Sequence, residues 1–373
     1  MFKPSDIFIF LIVIAFTFVN SCHHSVDEEP QIKILGITKW YNNYKSALSV
    51  THDSGYPISN DIENSWLYEH QMFMDYEIIS DRYVSNPKLV EYLKEKLIPN
   101  GFGYFGHGHT HINHDQLSYE EAYKSFRKDA EHIKAFGLNP IAYAYPGGYG
   151  FEDSTQFALK KSGYLSGRLF QKEFEGRGPY IMSGDQMAPE NWYALPSLPM
   201  QDFNFDQCER CINNHDEFLS YLNESVGLES WLISTYHSIG FDGKTDGRPE
   251  GWGYYTRENF YKDMLAIKEL REKGKVWLAN MSDVTIYTYL RNQTTYELKM
   301  VNESQYKLML ETELPIERFN HDLSLEISIA ENSLGKTLTI EQAEKQITQK
   351  KLTKSKVYIN LRPSKDYFSI YVE

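Results

Sequence analysis

Four histidines lie within eight positions of one short stretch. The segment FGHGHTHINHD, residues 105–115, contains His107, His109, His111 and His114, a third of the 12 histidines in the chain. Imidazole nitrogens commonly hold catalytic divalent metals, together with a carboxylate and an open position for water. Structured elements are predicted on both sides, which argues against a processing tag or a His-rich buffer segment. The cluster predicts a metal site but does not decide which histidines bind.

Short strands would have to deliver these residues. Between about residues 46 and 292, β-rich apolar runs alternate with amphipathic helical patterns. The best-marked helix follows Ser118, which has capping-box spacing to Glu121, and stops at Gly137. This alternation predicts a mostly parallel sheet with helices outside it, closed or partly closed into a barrel. The predicted strands are ALSVT (47–51), a strand near 103–107, IAYAY (141–145), WLISTY (231–236) and KVWLA (275–279).

Conspicuous residues follow four of these strands. Asp53 follows ALSVT, the histidine cluster follows the strand near 103–107, Pro146-Gly147-Gly148 follows IAYAY, and His237 follows WLISTY. Ligands of parallel α/β sheets and barrels bind beyond the carboxyl ends of the strands. We therefore expect these residues to converge on one rim.

The pattern changes after about residue 294. In LSLEISIA, residues 323–330, Leu323, Leu325, Ile327 and Ile329 share one face, and the segments that follow also alternate. A period of two predicts a small antiparallel, sandwich-like β domain. A structural role is favoured over carbohydrate binding for this domain because it contains few aromatic residues.

The first residues read as a targeting signal. Lys3 precedes the apolar run IFIFLIVIAFTFV, residues 7–19, which is short for a membrane span and typical of a signal peptide. VNSC, ending at Cys22, resembles a bacterial lipobox, although Asn20 is an imperfect match. The resemblance implies a signal peptide over 1–21, acylation of Cys22 and a tether over 22–34. We expect a lipid-anchored protein of the bacterial cell envelope, at the outer membrane or the periplasmic face.

Charge and cysteine content narrow the partners. The net charge is −13 and no long Lys/Arg run is present, which argues against nucleic acid. Aromatic residues form 15% of the chain, which suits a sugar-binding cleft as well as an ordinary core. For an exported protein, CERC predicts a disulfide between Cys208 and Cys211. A zinc site that adds His215 is the alternative.

The ordered segments resemble a known family. VTHDSG, GHTHINHDQL, AYAYPGGYG, LISTYHS and KVWLANMSDVTIYTYLRN together resemble the NodB-homology polysaccharide deacetylases, carbohydrate esterase family four. The resemblance covers roughly residues 35–292. It implies a distorted (β/α) barrel over residues 35–293, with the β domain over 294–373. It also implies metal-dependent removal of N- or O-linked acetyl groups from an acetylated glycan, with zinc as the expected ion and cobalt or nickel as alternatives.

The family pattern implies a role for each matching residue. Asp53 falls on the general base, His109 and His114 on the two histidine ligands, and His237 on the general acid. Gly147 falls where a backbone N–H faces the developing oxyanion. His107 and His111 stay rival ligands because the second motif is one residue longer than usual.

Two departures bear on activity. Ser54 stands where the family has an aspartate ligand, so either Asp53 itself binds the metal or the site has fewer protein ligands. Ala144 stands where many members have arginine. The alternative function is therefore a catalytically inactive glycan-binding lipoprotein on the same fold. A hydrolase of cyclic amides or other C–N bonds is a third reading, since fold does not fix chemistry.

Overall fold

The computed structural model describes residues 30–53, 61–201, 208, 210–240 and 253–373. The predicted signal peptide, Cys22 and Ser54 lie outside the described residues. Within the described ranges, no helix combines the length and the apolar character that crossing a membrane requires.

Strands are numbered here in chain order over the described residues. They are β1 (Ile32–Ile37), β2 (Ser46–His52), β3 (Asp75–Ile78), β4 (Gly103–Gly106), β5 (Ala142–Ala144), β6 (Ser166–Arg168), β7 (Leu198–Pro199), β8 (Trp231–Tyr236), β9 (Ser238–Gly240), β10 (Tyr254–Thr256), β11 (Val276–Leu278), β12 (Thr294–Asn302), β13 (Gln305–Thr312), β14 (Leu323–Ile329), β15 (Thr337–Gln342), β16 (Lys345–Lys351), β17 (Lys356–Leu361) and β18 (Ser364–Val372).

The α-helices are numbered in the same way. They are α1 (Asp61–Glu69), α2 (Ser80–Ser85), α3 (Pro87–Tyr92), α4 (Tyr119–Ala135), α5 (Asp153–Ser162), α6 (His215–Gly227), α7 (Arg257–Glu272) and α8 (Met281–Gln293). The predicted capping box is present, since Ser118 accepts from the Glu121 N–H and the Glu121 carboxylate accepts from the Ser118 N–H. Helix α3 is short: it ends at Tyr92 and continues as one π turn and one 3₁₀ turn.

Parallel strands form a curved sheet in the order β6, β5, β4, β3, β2, β8, β7. The backbone just before β7 hydrogen-bonds to the region of β6 and so connects the two ends of this sheet. The Leu195 N–H donates to the Gly167 carbonyl, and the Leu195 carbonyl accepts from the Leu169 N–H, both at 2.8 Å. Strand β11 pairs with the first half of β2 and β3 with its last two residues. One side of β2 is thus shared by two strands. The predicted distorted (β/α) barrel is confirmed.

The barrel strands alternate between two faces. Val50 and Tyr76 belong to the large hydrophobic cluster that includes side chains of α4, α5 and α7, whereas Phe105 and Ile233 belong to a second cluster on the other face. Because successive strand residues point to opposite faces, His107, two positions after Phe105, continues the inward face. The same alternation directs Asp53 and His237 inward at the barrel mouth.

The C-terminal residues form the predicted antiparallel β domain. One sheet has the order β12, β13, β18, β15, β16 and the other β1, β14, β17. Leu325, Ile327 and Ile329 lie in the core between them, as the alternation predicted. Strand β1 corrects the domain bounds expected from the sequence. The tether is expected to include residues 32–34 and the barrel to begin at residue 35, but Ile32–Ile37 pairs with β14. A segment at the start of the described chain therefore completes the C-terminal sandwich.

Candidate metal centre

Strand register sets the first neighbours of Asp53. His52 of β2 pairs with Tyr236 of β8, and the Asp53 N–H donates to the Tyr236 carbonyl at 2.9 Å. Asp53 and His237 therefore leave adjacent parallel strands at the same level. Two of the predicted catalytic residues are brought together at the rim.

The other side of β2 delivers an acid that the sequence analysis missed. His52 also pairs with Tyr76, so Glu77 follows on the strand adjacent to Asp53. Next along the sheet, Ile78 pairs with Gly106 and its carbonyl accepts from the His107 N–H at 2.9 Å. Glu77 and His107 thus reach the same level as Asp53.

Asp53, Glu77 and His107 form a compact ligand set. One ligand atom from each side chain lies within 4.8 Å of the other two, and no other group of three such side chains does so among the described residues. Glu77 and His107 are 3% and 2% exposed. Two acids and an imidazole are thus gathered almost out of contact with water.

Hydrogen bonding fixes the form of the His107 ring. Its Nδ1 lies 2.9 Å from the Ala144 carbonyl, which can only accept, so Nδ1 carries the hydrogen. Burial lowers the pKa of His107 to about 3, against the raising effect of Asp53, which keeps the ring neutral. The Nε2 lone pair then faces Oε2 of Glu77 at 3.0 Å. A neutral ring held by a backbone carbonyl is the usual state of a metal-binding histidine.

The pKa values of the two carboxyl groups of the set are shifted in opposite directions. Burial alone would raise the pKa of Asp53, but Arg168 and the nearby imidazoles lower it to about 2. Burial, and then the negative charge of Asp53, raise the pKa of Glu77 well above its usual range. Without a cation, Glu77 is therefore the acid that holds a proton, which it can donate to His107.

Arg168 closes the site from the far side of the sheet. It ends β6, pairs with Ala144 of β5, and directs one guanidinium nitrogen to both oxygens of Asp53, at 2.5 and 2.7 Å. Its guanidinium carbon lies 5.3 Å from the centre of the Phe105 ring. Arg168 thus places a guanidinium at the site from the strand next to Ala144.

His111 and His237 stand at the edge of the ligand set. The rings of His111 and His107 are 5.0 Å apart. Burial lowers the pKa of His237 to about 4, and Asp53 opposes that shift electrostatically. The His237 ring also meets Phe170 edge-on at 4.8 Å. Both imidazoles therefore border the mouth without belonging to the compact set.

His109 and His114, the preferred ligands from the sequence, lie elsewhere. The His109 ring is 5.0 Å from that of His132, and its Nδ1 is 3.3 Å from the Ser80 hydroxyl. His114 is fully buried, stacks on Phe126 at 4.2 Å, and contacts Ser125 through Nε2 at 3.0 Å. The turn after β4 explains the difference: Gly108 has φ +87° and redirects the chain directly after His107. Of the two rivals, His107 joins Asp53.

The Pro-Gly-Gly turn lies beside the same mouth. Gly147 and Gly148 both adopt positive φ, and a Cβ on Gly148 would come within 2.6 Å of Cβ of Phe170. Only glycine allows this approach without displacing the Phe170 segment. Gly147 is exposed. Farther out, Cys208 and Cys211 form a disulfide.

Glu77 and Arg168 left only a weak signal in the sequence. Each is a charged residue inside a very short strand, DYEI and SGR respectively. Charged residues are seldom fully buried unless paired, so the residues of these two strands do not by themselves indicate an internal position. Their partners are distant in sequence, Asp53 and Arg168 being 115 positions apart.

The residues present fit a divalent cation. Two carboxyl groups and one neutral imidazole supply three protein ligands, the number typical of a catalytic site that keeps a position open. Arg168 supplies one positive charge for the two carboxyl groups, so a cation that displaced the proton of Glu77 would compensate the second negative charge. Two oxygens and one nitrogen suit manganese as well as zinc. The fold and the site define a (β/α)-barrel protein with an acidic, histidine-bearing mouth.

Solved structures that resemble this chain include polysaccharide deacetylases. A Mycobacterium smegmatis structure assigned to the polysaccharide deacetylases is 16% identical, over 70% of this chain and 96% of that one, with a TM-score of 0.48. A family 4 carbohydrate esterase from Streptomyces lividans is 12% identical over 62% and 91%, with a TM-score of 0.37. A Bacillus anthracis pseudoenzyme of the same family is 12% identical over 66% of each chain, with a TM-score of 0.39. No family profile and no curated protein sequence matches the chain.

Proposed function

We propose that this protein is a metal-dependent hydrolase that removes acetyl groups from a glycan. The observation that carries the proposal is the buried set of Asp53, Glu77 and His107 at the carboxyl ends of three adjacent barrel strands. Such sets occur where barrel enzymes place their chemistry. A bound divalent cation would polarise the acyl oxygen and acidify a water molecule.

The chain's own groups divide the remaining tasks. Asp53 stays ionised and accepts the proton of the attacking water. His237, on the adjacent strand end, is neutral near neutral pH, so it would take this proton from Asp53 and pass it to the departing oxygen or nitrogen. The Gly147 N–H is positioned at the rim to donate to the developing oxyanion.

The two departures from the family pattern have compensating residues. Glu77 on β3 supplies the second carboxyl group that Ser54 does not, and Arg168 on β6 supplies the guanidinium that Ala144 does not. Both compensations come from strands next to the original positions. They support an active site of altered composition.

The first experiment measures metal content and acetate release together. The mature chain would be compared with His107→Ala and His109→Ala variants, after incubation with zinc, cobalt, nickel or manganese. We expect about one ion per chain in the wild type and in His109→Ala, and none in His107→Ala. Acetate release from acetylated chitin and xylan oligosaccharides should follow metal content, and the two substrates separate N- from O-deacetylation.

Two outcomes would contradict parts of the proposal. Metal lost in His109→Ala but kept in His107→Ala would restore the ligand set predicted from the sequence. Absence of bound metal under all four incubations would remove the proposed mechanism.

The second candidate is a glycan-binding protein without turnover, and one observation favours it. A carboxylate that Arg168 holds at a pKa of about 2 takes up a proton poorly, which is a disadvantage for a general base. Metal binding and glycan binding without acetate release would establish this function.

We also propose that the protein is exported and anchored by lipid at Cys22. The apolar run before Cys22 supports this proposal. Detergent phase partitioning of membranes expressing the wild type or Cys22→Ala tests it. Wild-type chain in the detergent phase and variant in the aqueous phase is the expected result, and identical partitioning would exclude the anchor.

A further inference from the structure

A cavity of about 460 Å³ opens beside the candidate metal centre. Gly147 and Phe170 both line it, and Phe170 is the ring that meets His237 at 4.8 Å. The volume lies within the range of small-molecule sites. The cavity therefore starts at Gly147, which is assigned to the oxyanion contact, and at Phe170, which contacts His237. None of the three candidate metal ligands lines it.

Its wall combines flat rings with amide groups. Tyr149, Phe151 and Phe170 supply the rings, and Tyr149 is 45% exposed beside Gly147. Gln171 and Gln201 also line the cavity, and Gln201 is only 3% exposed. Rings offer faces on which the apolar side of a sugar can stack, and carboxamides both donate to and accept from hydroxyl groups. The combination is suited to a sugar ring.

The cavity wall carries more positive than negative side chains, although the whole chain is acidic. Lys172 and Arg210 line the cavity together with one acid, Glu173, whereas the chain as a whole carries −13. A strongly acidic protein repels anions at long range, so cations in a cleft decide locally which anions can approach. Arg210 stands two positions after Cys208 and next to Cys211, so the disulfide ties the loop that carries this guanidinium.

We propose that this cavity is a neighbouring subsite that binds a sugar residue carrying an anionic group, a carboxylate or a phosphate. The inference rests on the proposed function for the adjoining acetylated sugar. The ring stacks on the aromatic wall, the amides meet its hydroxyls, and Lys172 and Arg210 meet the anion. The substrate class is thereby an acidic acetylated glycan.

Calorimetric titration of the mature chain tests the subsite without requiring turnover. The probes are a short oligo-uronate, the same oligosaccharide after carboxyl reduction, and a phosphorylated neutral oligosaccharide. The variants are Lys172→Gln/Arg210→Gln and, as a control with the same charge change on the exposed sandwich surface, Lys299→Gln/Lys345→Gln. The uronate and phosphate arms distinguish the two sources of negative charge.

We expect the uronate or the phosphorylated probe to bind more tightly than the reduced one. The cavity double variant should weaken that binding by about fivefold to thirtyfold, and the sandwich double variant should leave it unchanged. Salt at about 0.5 M should remove most of the preference. Tyr149→Ala should weaken charged and neutral probes alike.

Equal affinity for the charged and reduced probes would overturn the proposal, as would equal effects of the two double variants. Acetate release from 4-nitrophenyl acetate reports on the metal centre without engaging the cavity. If the protein releases acetate from that ester but does not prefer acidic glycans, only the subsite proposal is wrong. If it binds acidic glycans selectively but releases no acetate, the subsite proposal holds and the hydrolase proposal is wrong.

Discussion

Arg168 and Asp53 form a buried ion pair in which one guanidinium nitrogen contacts both carboxylate oxygens, at 2.5 and 2.7 Å. The two side chains are 1% and 6% exposed and come from the ends of β6 and β2. The pair spans the mouth of the barrel across the intervening strands. It orients the carboxylate to which the proposed hydrolase mechanism assigns the general base.

The first prediction concerns the stability of this pair. Arg168→Met should destabilise the protein by about 3–5 kcal/mol, because it leaves the Asp53 charge buried without its partner. Asp53→Asn alone should also be costly. The double variant should be more stable than the sum of the two single effects predicts, by about 1 kcal/mol or more. Urea unfolding of the four proteins measures the coupling.

Strict additivity in this cycle would contradict a direct interaction. Arg168→Lys provides a further control, since it keeps the positive charge but replaces the planar guanidinium, whose single nitrogen contacts both oxygens, with an ammonium group. We expect its stability to lie between those of the wild type and Arg168→Met.

The second prediction separates metal binding from folding at Glu77. Glu77→Gln should weaken metal affinity by at least about a hundredfold, since changes to mere supporting groups already cost 10- to 100-fold. The amide can still donate a hydrogen bond to Nε2 of His107, so the metal-free protein should unfold at an unchanged urea concentration. Calorimetric metal titration and urea unfolding give the two readings.

Glu91→Gln serves as the matched control, because Glu91 is exposed on α3. It should change neither reading. Equal metal affinity for Glu77→Gln and the wild type would show that Glu77 is not a ligand.

Part of this site could be predicted from sequence because of where its residues stand. Asp53 and His237 directly follow apolar strands, so the rule that ligands bind at strand ends was enough to bring them together. The C-terminal β domain followed from the period of two in β14. In both cases the information lies within a few neighbouring residues.

The rest depends on partners far apart in the chain. Glu77 and Arg168 are buried because the folded sheet places them near Asp53. The residues of their own strands do not determine this burial. β1 finds its place only by pairing with β14, from Ile32 opposite Ile329 onward. The choice among the four clustered histidines depends on the turn at Gly108, whose positive φ redirects the chain directly after His107.

The third prediction concerns the glycine turn beside the mouth. Gly148→Ala combines an unfavourable positive φ with a Cβ 2.6 Å from that of Phe170. Gly163→Ala is the matched control, since Gly163 also has positive φ but no atom would lie within 4 Å of its Cβ. The control should cost about 1–2 kcal/mol, and Gly148→Ala about 1–3 kcal/mol more.

Thermal or urea unfolding measures both variants. Acetate release should fall in Gly148→Ala only, because a displaced Phe170 moves the ring that contacts His237. Equal stability losses at the two positions would show that the contact with Phe170 can relax freely.

The last prediction concerns pH and a second buried acid, Asp263 of α7. It contacts Nδ1 of His215 at 2.8 Å and accepts from the hydroxyls of Tyr236 and Tyr255, each at 3.0 Å. Burial raises the pKa of Asp263 to about 6 from 3.8, against the lowering effect of these hydrogen bonds. The folded state therefore holds this proton more tightly than the unfolded state. The stabilisation is complete below pH 3.8 and is lost as the pH rises through about 6, which amounts to about 3 kcal/mol over that window.

Urea unfolding of the wild type and Asp263→Asn between about pH 4 and pH 7 isolates this contribution. The free energy of unfolding of the wild type, relative to that of the variant, should decrease with rising pH, because an amide does not titrate. Asp216→Asn, at an exposed position of α6, should retain the wild-type profile. A difference between wild type and Asp263→Asn that grows with pH would mean that the folded state binds this proton less tightly than the unfolded state, which would contradict the raised pKa of Asp263.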